Sequence, residues 1–138
     1  MKSFTGNFTQ QEGIPDSAIN KAIEVMRSGR LHRYNVDIGE KAEATQLELE
    51  FAQYQGSTFC LACASGGYAM QLALASIGLE HNEPVLTNAF TLSPVPGAIH
   101  NVGAKPVLVE TTDQLVIDLD DLDKKIRSSD ARVFLLSH

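Results

Sequence analysis

The residues with the clearest chemical potential lie at Ser65-Gly66-Gly67, inside the run FCLACASGGYAMQLALASIGL at 59–79. A short apolar stretch stops there and a long apolar helical stretch begins at once. This reads as a strand, a tight glycine turn and a helix whose first backbone N–H groups lack carbonyl acceptors. Free amides at the positive end of a helix dipole form a site for an anion, most often a phosphate. A second reading stays open, in which two adjacent glycines let the helix approach the strand closely. The dinucleotide fingerprint GxGxxG is absent, and no Gly-Lys-Ser/Thr follows as in a P-loop, which argues against NAD and ATP.

Other reactive groups are weaker candidates. Cys60 and Cys63 have CxxC spacing. In a strand, positions i and i+3 point to opposite faces, and no second pair completes a zinc site. They are expected to be buried structural thiols. Asp118, Asp120, Asp121 and Asp123 resemble a metal cluster, but they fall at a helix start, where acidic residues favour the dipole, and lack EF-hand spacing. His81 and His100 read as surface residues.

These groups need a scaffold. The chain has 138 residues, enough for one domain with a core, and its 43% hydrophobic and 20% charged content is that of a soluble globular protein. A net charge of −6 and the lack of any basic cluster give nucleic-acid binding no support. The N-terminus has no apolar core of a signal peptide, and the helix at 68–79 is too short to span a membrane, so the expectation is a cytoplasmic protein with no membrane partner. Helices are predicted at 14–28 and 40–55, with Ala18, Ile19, Ala22, Ile23 and Met26 facing inward from the first, and Leu47, Phe51 and Tyr54 from the second. From residue 58 onward strands and helices alternate. Strands are predicted at 58–63, 84–88, 105–110 and 132–136, and helices at 67–79, 94–101 and 119–128, the last capped by Asp118. Short apolar strands alternating with helices imply an α/β fold whose parallel sheet is covered on both faces. The expected division is an N-terminal arm with helices at 1–56 and an incomplete α/β domain at 57–138. A buried parallel strand two residues before His138 wants a covering helix, so the sequence reads as the N-terminal part of a longer protein.

The order of motifs resembles the DegT/DnrJ aminotransferases, pyridoxal-phosphate (PLP) enzymes of fold type I, the aspartate-aminotransferase-like fold. The matching stretches are LELEFAQYQGS at 47–57, CASGGYAMQLALASIGL at 63–79, EPVLTNAFTLSPVPGAIHNVGAKPVLVE at 83–110, VIDLDDLDKKI at 116–126 and VFLLSH at 133–138. The resemblance implies a partial parallel sheet flanked by helices, as in the N-terminal part of that family's large domain. It implies amino transfer from glutamate or glutamine to a keto-sugar, commonly nucleotide-linked, in a homodimer. It places the cofactor phosphate at Ser65, Gly66, Gly67 and Tyr68, and the residue covering the pyridine ring at Leu92, with Phe90 nearby. It also places Arg33 and Tyr34 on the substrate side and aligns His138 with the start of the next active-site loop.

Departures from the family pattern are specific. Gly67 stands where the family usually has Thr, which keeps the amide but loses a hydroxyl. Leu92 replaces an aromatic ring and offers apolar cover without a π-face. Phe90 has the alternative of being an ordinary core residue, and Arg33 and Tyr34 that of a solvated polar loop. The family's Schiff-base lysine and its ring-nitrogen carboxylate lie beyond the last matching strand. None of Lys2, Lys21, Lys41, Lys105, Lys124 or Lys125 aligns with the lysine, and Lys124 and Lys125 read as solvated. The chain alone is therefore not expected to transaminate. A non-catalytic chain, whose open sheet edge and apolar helices serve association, is the alternative.

Overall fold

The computed structural model describes residues 5–7, 9–34 and 36–137. It forms two compact units, Met1–Ala62 and Cys63–His138.

The first unit holds α1 (Asp16–Ser28) and α2 (Glu43–Gln55). Pro15 precedes α1 as its N-cap, and Gly29 ends it at φ 70° with its N–H on the Met26 carbonyl. The expected inward face of α1 is only half covered. Ile23 is half-buried while Ala18, Ile19, Ala22 and Met26 are exposed. Two helices with few large apolar side chains cannot close a core between them. Helix α2 starts at Glu43 rather than residue 40, because Glu40 is held in the preceding turn. Its N–H bonds the Asp37 carbonyl, and its carboxylate pairs with Arg30. The predicted stripe of Leu47, Phe51 and Tyr54 is exposed, and the inward side is Ala44, Thr45, Glu48 and Ala52. The cause is polar. Glu48 Oε1 accepts the Ala62 N–H at 2.8 Å and the Arg33 guanidinium at 2.6 Å, which turns that side of α2 toward the following segment.

That segment does not form the strand predicted at 58–63. Among the described residues it joins no sheet, and the Ala62 N–H goes to the Glu48 carboxylate instead. Phe59 and Leu61 are exposed, and the Cys60 and Cys63 thiols, expected to be buried, are half-buried.

The second unit contains α3 (Gly66–Ser76), β1 (Pro84–Asn88), α4 (Pro94–Asn101), β2 (Lys105–Val109), α5 (Leu119–Ser129) and β3 (Val133–Leu135). The strands form one parallel sheet in the order β2-β1-β3, with Leu86 opposite Val107 on one side and Phe134 on the other. The α/β reading therefore holds, with three strands among the described residues rather than four. Val85, Leu86, Thr87 and Asn88 of β1 are all buried. Val85 joins Leu74 of α3, Ala98 and Ile99 of α4, and Ala104 in the core, with Met70, Leu79, Val133 and Leu135 packed around it.

Polar contacts hold the margins of the sheet. Before the strands, Arg132 Nε donates to Glu83 Oε1 at 2.6 Å and its Nη2 to the Gly78 carbonyl at 3.0 Å. At the outer edge of β2 the ladder fixes which groups face away. Lys105 N–H bonds Glu83 O and Ala89 N–H bonds Val109 O, so residues 105, 107 and 109 face β1, while Pro106, Leu108 and Glu110 face outward. Pro106 offers no N–H. Lys125 Nζ donates to Leu108 O at 2.5 Å, and Glu110 N–H donates to Asp121 Oδ2 at 2.8 Å. Lys125 is thus not the solvated residue expected. It also pairs with Asp121 at 2.7 Å. Asp118 caps α5 as predicted, accepting from the Asp120 and Asp121 amides.

Two tests follow from this packing. The Arg132 guanidinium and then the Glu80 N–H hold the Glu83 carboxyl below its ordinary value. A lowered native value means the unfolded chain takes up the proton first, so this contribution is present above about pH 4.3 and is lost as pH falls through the native value. Urea unfolding at pH 7 and pH 3.5 is expected to show a larger acid loss for the wild type than for Glu83→Gln. Separately, Thr87 is fully buried and, among the described residues, its Oγ1 meets no hydrogen-bond partner. Thr87→Val is expected to raise unfolding free energy by about 1 kcal/mol, since it replaces an unsatisfied hydroxyl with a methyl of similar size.

Candidate functional site

The N-terminus of α3 is built by Ser65. Its backbone is extended, at φ −158° and ψ 157°, and its Oγ accepts the Tyr68 N–H at 3.2 Å. The Ser65 carbonyl takes the Ala69 N–H at 3.0 Å. Helix geometry leaves the Gly66 and Gly67 amides without an intrahelical acceptor. Neither glycine has a positive φ. A Cβ added at Gly66 would meet nothing within 4 Å, and one at Gly67 would meet only Pro94 Cβ, at 3.4 Å. Neither backbone conformation nor tight packing therefore requires glycine at either position. The side of Gly66 is open space next to the amides. Tyr68 is half exposed.

The contact between Gly67 and Pro94 brings the start of α3 next to the start of α4. The loop leading into α4 carries Phe90, Thr91 and Leu92. Phe90 is 59% exposed and Leu92 76% exposed, so Phe90 is not the core residue that its apolar character allowed. Together with Thr91 and Ser137 they line a cleft of about 340 Å³. A neighbouring cleft of about 420 Å³ is lined by Asn88, Phe90, Leu115, Val116, Leu136 and Ser137. Both lie beyond the carboxyl ends of the parallel strands, where α/β sheets take their ligands.

Asn88 was not singled out by the sequence, yet it organises this end of the sheet. It is 6% exposed. Its Nδ2 donates to Phe90 O at 2.7 Å and Ser137 O at 3.1 Å, and its Oδ1 accepts the Ser137 N–H at 3.0 Å. The available signal was a polar residue closing the buried run VLTN, where an apolar one would continue it.

The residues assigned to the substrate side lie in the other unit. Arg33 is exposed, and its guanidinium pairs with Glu48 at 2.6 Å. The Ala62 N–H and then Arg33 hold the Glu48 carboxyl below its ordinary value. Tyr34 is exposed and stacks on His32, with ring centroids 4.9 Å apart and planes 8° from parallel. His138 lies outside the described residues. Among the described residues no group of three or more His, Cys, Asp or Glu side chains is placed to hold a metal ion. No helix among them is long and apolar enough to cross a membrane.

A model of the DegT/DnrJ/EryC1/StrS aminotransferase family matches residues 14–137. The chain belongs to that family. It is 35% identical over 77 residues to the dTDP-3-amino-3,4,6-trideoxy-alpha-D-glucose transaminase of Micromonospora megalomicea subsp. nigra, covering 56% of this chain and 20% of that protein. It is 34% identical over 68 residues to the UDP-2-acetamido-2-deoxy-3-oxo-D-glucuronate aminotransferase of Pseudomonas aeruginosa, covering 49% of this chain and 19% of the relative. Among solved structures, the PLP form of a putative sugar aminotransferase from Streptococcus pneumoniae superposes with a TM-score of 0.76 at 22% identity, over 90% of this chain and 30% of that one. The chain thus spans between about a fifth and a third of the length of these relatives. The likeness in fold is that of a PLP-dependent aminotransferase.

The open side of Gly66 yields a direct test. Gly66→Ala is expected to stabilise the protein by about 0.5–1 kcal/mol in urea unfolding, because the backbone there suits any residue in the first turn. A loss of stability would show that the turn needs glycine after all.

Proposed function

We propose that this chain forms the phosphate-binding part of a PLP-dependent aminotransferase that acts on a keto-sugar, commonly a nucleotide-linked one, with glutamate or glutamine as amino donor. The observation that supports this reading is that an open helix start falls where family membership puts the phosphate. The α3 N-terminus, open beside Gly66, falls within the family match, and it is the position where the resemblance puts the cofactor phosphate. The names of the relatives, transaminases of dTDP- and UDP-linked sugars, support the substrate class.

The residues present fit such a group. The Gly66 and Gly67 amides would bind the phosphate oxygens, and the positive end of α3 would favour their charge. Ser65 orients these donors by capping Tyr68, so its hydroxyl is already used in part. Gly67 lacks the hydroxyl of the family's usual Thr, so more of the binding falls on the backbone. Phe90 and Leu92 would exclude water from one face of a planar ring. When bound, PLP supplies the electron-withdrawing ring and the carbonyl that carry the amino group. The substrate-side roles of Arg33 and Tyr34 rest on the resemblance; Arg33 could take an anionic group in place of Glu48, which a planar guanidinium can do. A homodimer in the cytoplasm is the assembly and setting this reading entails.

Binding is tested without turnover. PLP titrated into the chain is expected to shift the Gly66 and Gly67 amide resonances, and inorganic phosphate is expected to compete for the same shift. Ser65→Ala should weaken both ligands, and glutamate added with PLP should yield no amino transfer from the chain alone. A PLP titration that leaves those two amides unmoved while moving others would transfer the site elsewhere.

A further inference from the structure

The Asn88 side chain touches both walls of the cleft beyond the sheet. One wall is the loop after β1, with Phe90, Thr91 and Leu92. The other is the segment after β3, at Ser137. Ser137 lies 49 residues after Asn88 in sequence, and the Asn88 amide bonds the main chain of both walls. Its bonds at 2.7 Å to Phe90 O and at 3.0 and 3.1 Å to Ser137 N–H and O are all to backbone, so they fix wall position without depending on the neighbouring side-chain types. Asn suits the task because one carboxamide both donates twice and accepts. Asp would accept from Ser137 but would turn a carboxylate toward two carbonyl oxygens.

We propose that Asn88 is a positioning residue that sets the width of the cleft for a planar ring, and so governs how firmly the ring, rather than the phosphate, of a bound pyridoxal derivative is held. This rests on the cofactor reading above. The phosphate donors at Gly66 and Gly67 belong to a different helix start, so the two parts of the ligand report on different residues. A site held by buried hydrogen bonds of this kind loosens when its support is removed, even though the support never touches the ligand.

The experiment compares PLP with inorganic phosphate in the full chain. Dissociation constants are read from the Gly66 and Gly67 amide shifts for wild type, Asn88→Ala, Asn88→Asp and Ser137→Pro. Ser137→Pro deletes one wall bond without altering Asn88, and it serves where a substitution at 88 prevents folding. Thermal unfolding and the dispersion of core resonances establish that each variant is folded. The expected result is a loss of about tenfold in PLP affinity with phosphate affinity changed less than about twofold. PLP affinity equal to wild type in folded Asn88→Ala and Ser137→Pro overturns the positioning role and leaves the cofactor reading intact. Equal weakening of PLP and phosphate also overturns it, because the effect is then not on the ring. Failure of the wild-type chain to bind PLP while still binding phosphate overturns both the ring role and the cofactor reading.

Discussion

The structure of the second unit depends on one strand being enclosed. β1 is paired on both edges and buried from Val85 to Asn88. Four other elements there are placed by what they do for β1. α3 and α4 supply Leu74, Ala98 and Ile99 to its apolar side, and β2 and β3 satisfy its backbone. Asn88, buried at the end of the strand, finds protein partners in the two segments that leave the sheet there. The hydrogen-bonding demand of a buried amide thereby becomes the means by which two loops are brought to one place.

Charged groups act on the rim in the same way. Glu83 and Arg132 join the approach to β1 with the approach to β3, and Glu48 ties α2 to Ala62. In each case a carboxylate collects a backbone N–H as well as a cation. Such carboxylates order chain segments, because the backbone bond fixes a position that a solvated ion pair would leave loose.

Much of this was legible from residue order. The runs PVLTN and KPVLV, each followed by a helical stretch, are short, apolar and bounded by turn residues, and they became β1 and β2. Asp118 before an acidic first turn marked the start of α5, and Ser65 before two glycines marked the start of α3. Periodicity failed where tertiary polar contacts decided the outcome. In α2 the apolar stripe at Leu47, Phe51 and Tyr54 gave way to a face chosen by Glu48, and 58–63 has strand composition but joins no sheet among the described residues. At the candidate site the α3 turn could be read from composition. The linkage between Phe90 and Ser137 could not, since it joins residues distant in sequence through a side chain whose type is common at strand ends.

The outer edge of β2 has a consequence for the order in which the unit is made. Its guards, Pro106, Asp121 and Lys125, lie within about twenty residues of the strand they protect, whereas β3 meets β1 across 48 residues. A ribosome releases the chain from the N-terminus, and segments close in sequence meet before distant ones. The β1–β2 pair can therefore have one edge shielded as soon as α5 emerges, leaving only the β1 edge that awaits β3 open to a neighbouring nascent chain. The position of these guards makes protection against strand exchange a matter of timing as well as of geometry.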